Sequence, residues 1–220
     1  MPPISHNMIL HNYFRSSSSY RVRIALAMKG IAYDYAAYHL RKGEQRGARY
    51  LGLNPQGLVP TLELPTGEKI TQSLAILEYL EETHPDPPLL PKNALGRARV
   101  RALAQAVALE IHPINNLRVL ADLRTRLFAT DAQVNDWFRH WVAETFVALE
   151  AMLAADTATG RFCHGDQPTI ADICLVPQVL NNRRFEVDMT PYPTIQRIFD
   201  AGFALPAFRD AAPDRQPDRE

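Results

Sequence analysis

The sequence predicts two domains of different class, an α/β unit followed by an all-helical one, and 220 residues are enough for each to bury its own core. Three observations carry that reading. Strand-like and helix-like stretches alternate up to His84, the segment Pro85–Pro91 holds four prolines, and no strand pattern returns after Asn93. The boundary therefore falls in residues 85–92, a stiff linker between an α/β domain at 8–84 and a helical domain at 93–213. Residues 1–7, with Pro2 and Pro3, read as a disordered leader. Residues 214–220 read as a tail that lies over the surface or is disordered.

Taken in order, Met8–Tyr13 is a short strand that gives way to a helix within Ser16–Ser19. Serine hydroxyls compete for backbone groups and favour the cap position, so the helix starts inside the run. Tyr20, Ile24, Ala27 and Met28 recur at the spacing of one helical face, and Gly30 supplies a left-handed stop. Tyr33–Tyr38 is a second strand, which makes the helix a crossover between parallel neighbours. Gly43–Leu53 is polar and weakly helical and closes at the turn signal Asn54-Pro55. In Leu58–Leu64, proline cannot donate to a sheet ladder. Pro60 therefore either opens an edge strand in trans or sits in a cis bond that turns the Val59 backbone outward, where an extended ligand pairs with it. Thr66-Gly67 turns the chain into Lys69–Thr71, and a helix runs from Ser73 to His84-Pro85.

After the linker, Arg97–Asn116 and Leu117–Phe128 carry apolar helical faces, with a kink or break at His112-Pro113. Ala132–Ala155 is a long helix whose Trp137, Phe138, Trp141 and Phe146 belong in a core. Thr169 and Asp172 form a capping box before the apolar run Ile173–Val179, a structural role, and a last helix covers Ile195–Phe203.

Composition excludes several functions. Lysine plus arginine equals aspartate plus glutamate at 24 each, so there is no net field to draw nucleic acid or an anionic membrane. No apolar run approaches the ~20 residues that cross a bilayer, and no basic-then-apolar leader opens the chain. Cys163 and Cys174 make no disulfide framework, which fits a soluble protein of the reducing cytoplasm. The seven histidines and two cysteines show no metal-ligand spacing, so no metal is expected.

A helix N-terminus carries unpaired amides and a partial positive charge, so hydroxyls placed there hold an anion such as a carboxylate or thiolate. Ser16–Ser19 and Ser73 both stand at such ends; the plainer alternative is that they only cap.

The motifs Y-F-R-S-S-S-S-Y-R-V-R-I-A-L (13–26), N-P-Q-G-L-V-P-T-L (54–62), Q-S-L-A-I-L-E-Y-L-E-E (72–82), H-P-I-N-N-L-R-V-L (112–120), A-D-I-C-L-V-P-Q-V (171–179) and R-R-F-E-V-D-M-T-P-Y-P-T-I (183–195) stand in collinear order over about residues 8–213. Together they resemble the zeta class of the glutathione transferases, the maleylacetoacetate and maleylpyruvate isomerases. The resemblance implies a thioredoxin-like N-terminal domain that binds glutathione, an all-α C-terminal domain that completes the substrate site, and a homodimer. It implies that Val59-Pro60 is a cis-proline corner whose valine backbone pairs with glutathione, and that Gln72 and Ser73 hold its γ-glutamyl carboxylate. Gln45, His112 and Asn116 fall at further glutathione positions; an isolated histidine such as His112 reads by default as a core or cap residue. Many members read Ser-Ser-Cys-Ser in the first loop, whereas Ser18 stands third here, so the loop has no thiol of its own for glutaredoxin-like redox chemistry.

Isomerising a cis enedioyl acid requires its double bond to become temporarily single, which the glutathione thiolate achieves by adding, allowing rotation and leaving. The resemblance puts the sulfur near Ser16 and Ser17, which with the adjoining helix amides are expected to donate to it in preference to Ser18 and Ser19, Ser18 being counted among the glutathione-binding residues. The two carboxylates of a dicarboxylic ketoacid substrate suit arginine, and Arg15, Arg118 and Arg184 lie inside matched motifs. Arg118, in the form H-P-I-N-N-x-R, tilts the expectation toward maleylpyruvate, an intermediate of aromatic-compound catabolism. The alternatives are a transferase or dehalogenase acting on small halogenated acids through the same thiolate, and a non-catalytic glutathione-binding module.

Overall fold

The computed structural model describes residues 7–220, so of the expected leader only Asn7 is described. The chain divides into two compact units. The first comprises the chain up to Pro88 together with Leu205–Glu220, and the second is Leu89–Ala204.

In the first unit a four-stranded sheet has the order β2-β1-β3-β4, with β1 at Met8–Asn12, β2 at Tyr33–Ala37, β3 at Thr61–Glu63 and β4 at Lys69–Thr71. β1 runs parallel to β2, pairing Leu10 with Tyr35, and antiparallel to β3, pairing Leu10 with Leu62; β3 and β4 form the hairpin. The parallel pair needs a crossover, and α1 (Ser17–Met28) supplies it. Ser16 caps α1 in extended conformation, its hydroxyl accepting the Ser19 amide at 3.2 Å, and Gly30 ends the helix at φ +64°. Between β2 and β3, 3-10 turns at Leu40–Lys42 and Glu44–Arg46 and the single turn α2 (Ala48–Leu51) replace the weak helix expected there. α3 (Ser73–Thr83) follows β4.

Helix α1 is not one-sided. Every residue from Ser18 to Leu26 is buried, including Arg21 and Arg23, whereas Ala27 is exposed and Met28 only half-buried, so the expected face holds for Tyr20 and Ile24 alone. Its outer side is covered by the C-terminal segment: α9 (Pro206–Asp210) packs on α1, with the Tyr20 hydroxyl donating to the Phe208 carbonyl at 2.6 Å. Leu10, Leu62, Val22, Leu26, Ile76 and Leu80 are sealed from solvent, each contributing about 1.5–3 kcal/mol over exposure. A second cluster, Tyr13, Phe14, Tyr38, Tyr50 and Val59, lies under the loops that follow β1 and precede β3.

The segment 214–220 lies over the surface of the first unit, the first of the two courses expected, and is anchored there. Gln216 is buried and donates to the Asp210 and Ala212 carbonyls, and Asp218 accepts from Phe14 and Tyr35.

The second unit holds α4 (Ala94–Gln105), α5 (Leu117–Arg126), α6 (Asp131–Ala155), α7 (Ile170–Arg184) and α8 (Pro193–Phe203). The expected helix 97–116 starts earlier, at the Asn93 cap, and ends earlier. α4 passes into a π turn at Ala106–Ile111, and the break runs through His112-Pro113 to Asn116, which caps α5. Phe138 and Phe146 are fully buried as expected, but Trp137 and Trp141 are only half-buried, their rings edge to face at 5.6 Å. The capping box forms: buried Asp172 accepts from the amide and hydroxyl of Thr169 at 2.7 and 2.9 Å, and from the Cys163 amide at 2.8 Å. Both cysteines are free and buried, and burial pushes the Cys163 thiol well above its ordinary range. No helix among the described residues is long and apolar enough to cross a membrane, and no metal-ligating cluster occurs among them.

Candidate active site

The sequence after β1 builds the site. Asn12 ends the strand and the chain turns through Tyr13–Ser16, the Ser16 amide donating to the Tyr13 carbonyl at 3.0 Å. Four serines then meet the helix mouth with four different fates. Ser16 caps; the Ser18 hydroxyl donates to the Val59 carbonyl at 3.1 Å and lies 3.0 Å from that of Ser16; Ser19 is buried. The hydroxyls of Ser16 and Ser18 are thus spent on one another, on the cap and on Val59. Ser17, the first residue of α1, is half-buried, and among the described residues no protein group bonds its hydroxyl. It stands beside free amides with its proton available, the arrangement that donates to an anion.

The Val59-Pro60 bond is cis, which decides between the two geometries left open for Pro60 in favour of the corner. Pro60 lies just before β3, so it removes no donor from the ladder. Ser18 ties this corner directly to the serine run. Asp86-Pro87 is also cis, a bond with no counterpart among the expectations.

At the mouth of α3, Gln72 adopts φ 68° and ψ 118°, a backbone conformation uncommon for a non-glycine residue and one that clusters at ligand sites. Its side-chain Nε2 donates to Gln56 Oε1 at 3.0 Å. Ser73 is buried, and its hydroxyl oxygen accepts from buried Arg21 at 3.3 Å. A guanidinium that donates to this oxygen leaves the serine proton to point at a ligand and adds positive charge behind a helix N-terminus. Sequence reading did not find Arg21; only its burial on a helix enclosed all round marks it among the many arginines.

Gln45 lies in the second 3-10 turn, with its Oε1 buried and, among the described residues, without a partner. The neighbouring turn needs its glycine. Gly57 has φ +60°, and a Cβ there would meet the Gln45 carbonyl at 3.1 Å. Arg15 is half-buried, its guanidinium 5.8 Å from the Phe14 ring centre. Burial holds the Tyr13 phenol above its ordinary range, so it stays protonated.

In the helical unit, His112 follows the π turn, its amide donating to the Val107 carbonyl at 3.1 Å. Asn116 Oδ1 accepts the Arg118 amide at 3.2 Å as the α5 cap, and the Arg118 side chain is exposed. Arg184, exposed at the end of α7, lies 5.0 Å from the Phe185 ring centre, and Phe185 in turn stacks on Phe138 at 3.8 Å. His112, Asn116 and Arg118 thus share one segment, and Arg184 belongs to another.

Residues 15–83 match the glutathione S-transferase N-terminal domain family. The chain is 51% identical to a maleylpyruvate isomerase of a Ralstonia species, over 96% of this chain and 99% of that protein. It also superposes, at TM-score 0.94 and 50% identity over 96% of this chain and all of the other, on the holo structure of a maleylpyruvate isomerase described as a bacterial zeta-class glutathione transferase. The chain belongs to the zeta class of the glutathione transferases. A second neighbour is the maleylacetoacetate isomerase of Methylobacterium extorquens AM1, solved with malonate and glutathione bound; it is 40% identical with TM-score 0.94, over 96% of this chain and 99% of the other. For a zeta-class chain the residues present fit a thiol tripeptide. An open hydroxyl at one helix mouth, a serine backed by arginine at another, and a buried amide oxygen with no partner among the described residues suit a thiolate, a carboxylate and an N–H donor.

Proposed function

We propose that this chain catalyses the glutathione-dependent cis–trans isomerisation of a maleyl-type dicarboxylic ketoacid, maleylpyruvate or maleylacetoacetate, to its fumaryl isomer in the catabolism of aromatic compounds. The observation that carries the reading is the uncommitted Ser17 hydroxyl at the N-terminus of α1, in a chain about half identical to a maleylpyruvate isomerase. When bound, glutathione supplies a thiolate that adds to the substrate double bond and leaves once the bond has rotated.

The chain's own residues make that chemistry accessible. Ser17 donates to the sulfur and, with the α1 amides, lowers its pKa; Ser16 and Ser18 hold the turn that presents it. Gln72 and Ser73 take the γ-glutamyl carboxylate, with Arg21 behind Ser73. The Val59 backbone beside cis Pro60, together with Gln45, His112 and Asn116, holds the rest of the tripeptide. Arg15, Arg118 and Arg184 bind the substrate carboxylates, for which fixed charge and paired donors suit arginine. Malonate in the Methylobacterium extorquens relative supports a dicarboxylate as the substrate class. The working form is a cytoplasmic homodimer.

The test is incubation of purified protein with maleylpyruvate and with maleylacetoacetate, each with and without glutathione, following loss of the cis isomer. Turnover of at least one acid that depends on glutathione is expected. Equal rates without glutathione, or turnover of neither acid, would overturn the reading. Sedimentation velocity at working concentration tests the dimer.

A further inference from the structure

The C-terminal segment returns to the α/β unit and meets the turn that launches the serine helix. Pro213–Arg215 forms a 3-10 turn, Gln216 is buried beneath it, and Asp218 presents both carboxylate oxygens inward. Oδ2 accepts the Phe14 amide at 3.1 Å and Oδ1 accepts the Tyr35 hydroxyl at 2.5 Å. Phe14 is the second residue of the Tyr13–Ser16 turn, and its other backbone group is held too. The fully buried Arg23 donates to the Phe14 carbonyl at 3.0 Å, to Asn12 Oδ1 at 2.9 Å and to the Ala211 carbonyl at 3.0 Å. One peptide unit from each side of Phe14 is therefore fixed, by Asp218 and by Arg23, and both anchors draw on residues 211–218. The cap at Ser16 and the direction of the Ser17 hydroxyl follow from that turn two residues later. A charge-assisted hydrogen bond is among the stronger that a half-buried site offers, and a small displacement of a catalytic donor has large kinetic effects.

We infer that Asp218 is a positioning residue for the serine turn: its carboxylate, carried back by the C-terminal segment, holds the Phe14 amide and so aims Ser17 at the sulfur. The inference rests on the functional reading above. Its test separates it from a staple that merely adds stability, because the two effects on the bound thiol have opposite signs. Removing a carboxylate charge alone favours a nearby thiolate and lowers the thiol pKa; losing the aim of Ser17 raises it.

The experiment measures the pKa of glutathione bound to the whole protein, by the ultraviolet absorbance of the thiolate, together with kcat and KM for the maleyl acid. The variants are D218A, D218N and Y35F. D218N retains one acceptor oxygen and guards against misfolding of D218A. Both Asp218 variants are expected to raise the bound thiol pKa and to lower kcat on the order of 5- to 10-fold, with KM for the acid changed by less than about twofold. Y35F removes the other contact to the same carboxylate and is expected to leave the bound thiol pKa and kcat as in wild type. An unchanged or lowered thiol pKa in D218N, with a drop in melting temperature alone, would overturn the inference while wild-type binding of glutathione left the functional reading standing. Failure of the wild type to bind glutathione would remove both.

Discussion

At the scale of single residues, the four serines divide into cap, tether, buried filler and donor, and the division makes predictions that differ from one position to the next. S17A is expected to raise the pKa of bound glutathione and to lower kcat by at least about tenfold, with S17T recovering part of both; stopped-flow turnover and thiolate absorbance check it. S16A removes the α1 cap and is expected to cost about 1 kcal/mol in denaturant unfolding, a loss seen without ligand as well as with it. His11 makes a different prediction. Burial, outweighing its hydrogen bond to Glu63 at 2.9 Å, holds the imidazole below its ordinary pKa of 6.5. A histidine that resists protonation in the folded state stabilises fully above 6.5, and that contribution fades as pH falls from 6.5 toward its depressed value. The melting temperature is therefore expected to drop on acidification through this window, and H11Q is expected to flatten the drop.

At the scale of elements, legibility followed locality. β1, the start of α1, the β3-β4 hairpin and α3 were readable because each announces itself within a few residues, through serines, a Thr-Gly turn or apolar spacing. The corner at Val59-Pro60 reads as two options from the residues alone, and only the family resemblance points to the cis bond that the structure has. The all-round burial of α1 was not readable, because its cover comes from α9 and the segment beyond it, some 180 residues later in the chain (|i−j| = 188 for Tyr20 and Phe208). The same distance hides the roles of Arg23 and Asp218, whose distant partners include the Ala211 carbonyl and the Phe14 amide, backbone groups that no side-chain pattern reveals. The π turn at Ala106–Ile111 likewise has no local signal beyond the proline after His112. In the candidate site, motif position points to Ser17, Gln72 and Ser73, whereas Arg21 behind Ser73 carries no local signature. Where an element was readable its removal is also predictable. Asp172 satisfies three buried donors at the start of α7, so D172A is expected to cost on the order of 3–5 kcal/mol, read as a shift of the urea midpoint, with D172N recovering part of it.

At the scale of the whole molecule, a ligand that binds only the folded state stabilises it by mass action. Glutathione at about 100 times its Kd is expected to add about 2.7 kcal/mol, visible as a rise in melting temperature, and S73A is expected to shrink that rise at the same concentration. The first unit, closed by its own distant C-terminal segment, should respond most in hydrogen exchange, with protection growing in residues 13–18 and 211–218 together.

Maleyl acids are Michael acceptors, and any accessible protein thiol working among them is exposed to permanent alkylation. Cys163 and Cys174 are sealed inside the helical unit, and the loop that meets the glutathione sulfur is built of serines, without a thiol. The chain therefore offers such electrophiles no accessible thiol of its own. It should emerge from prolonged turnover with an unaltered mass, the sacrificial nucleophile being one that dissociates and is replaced.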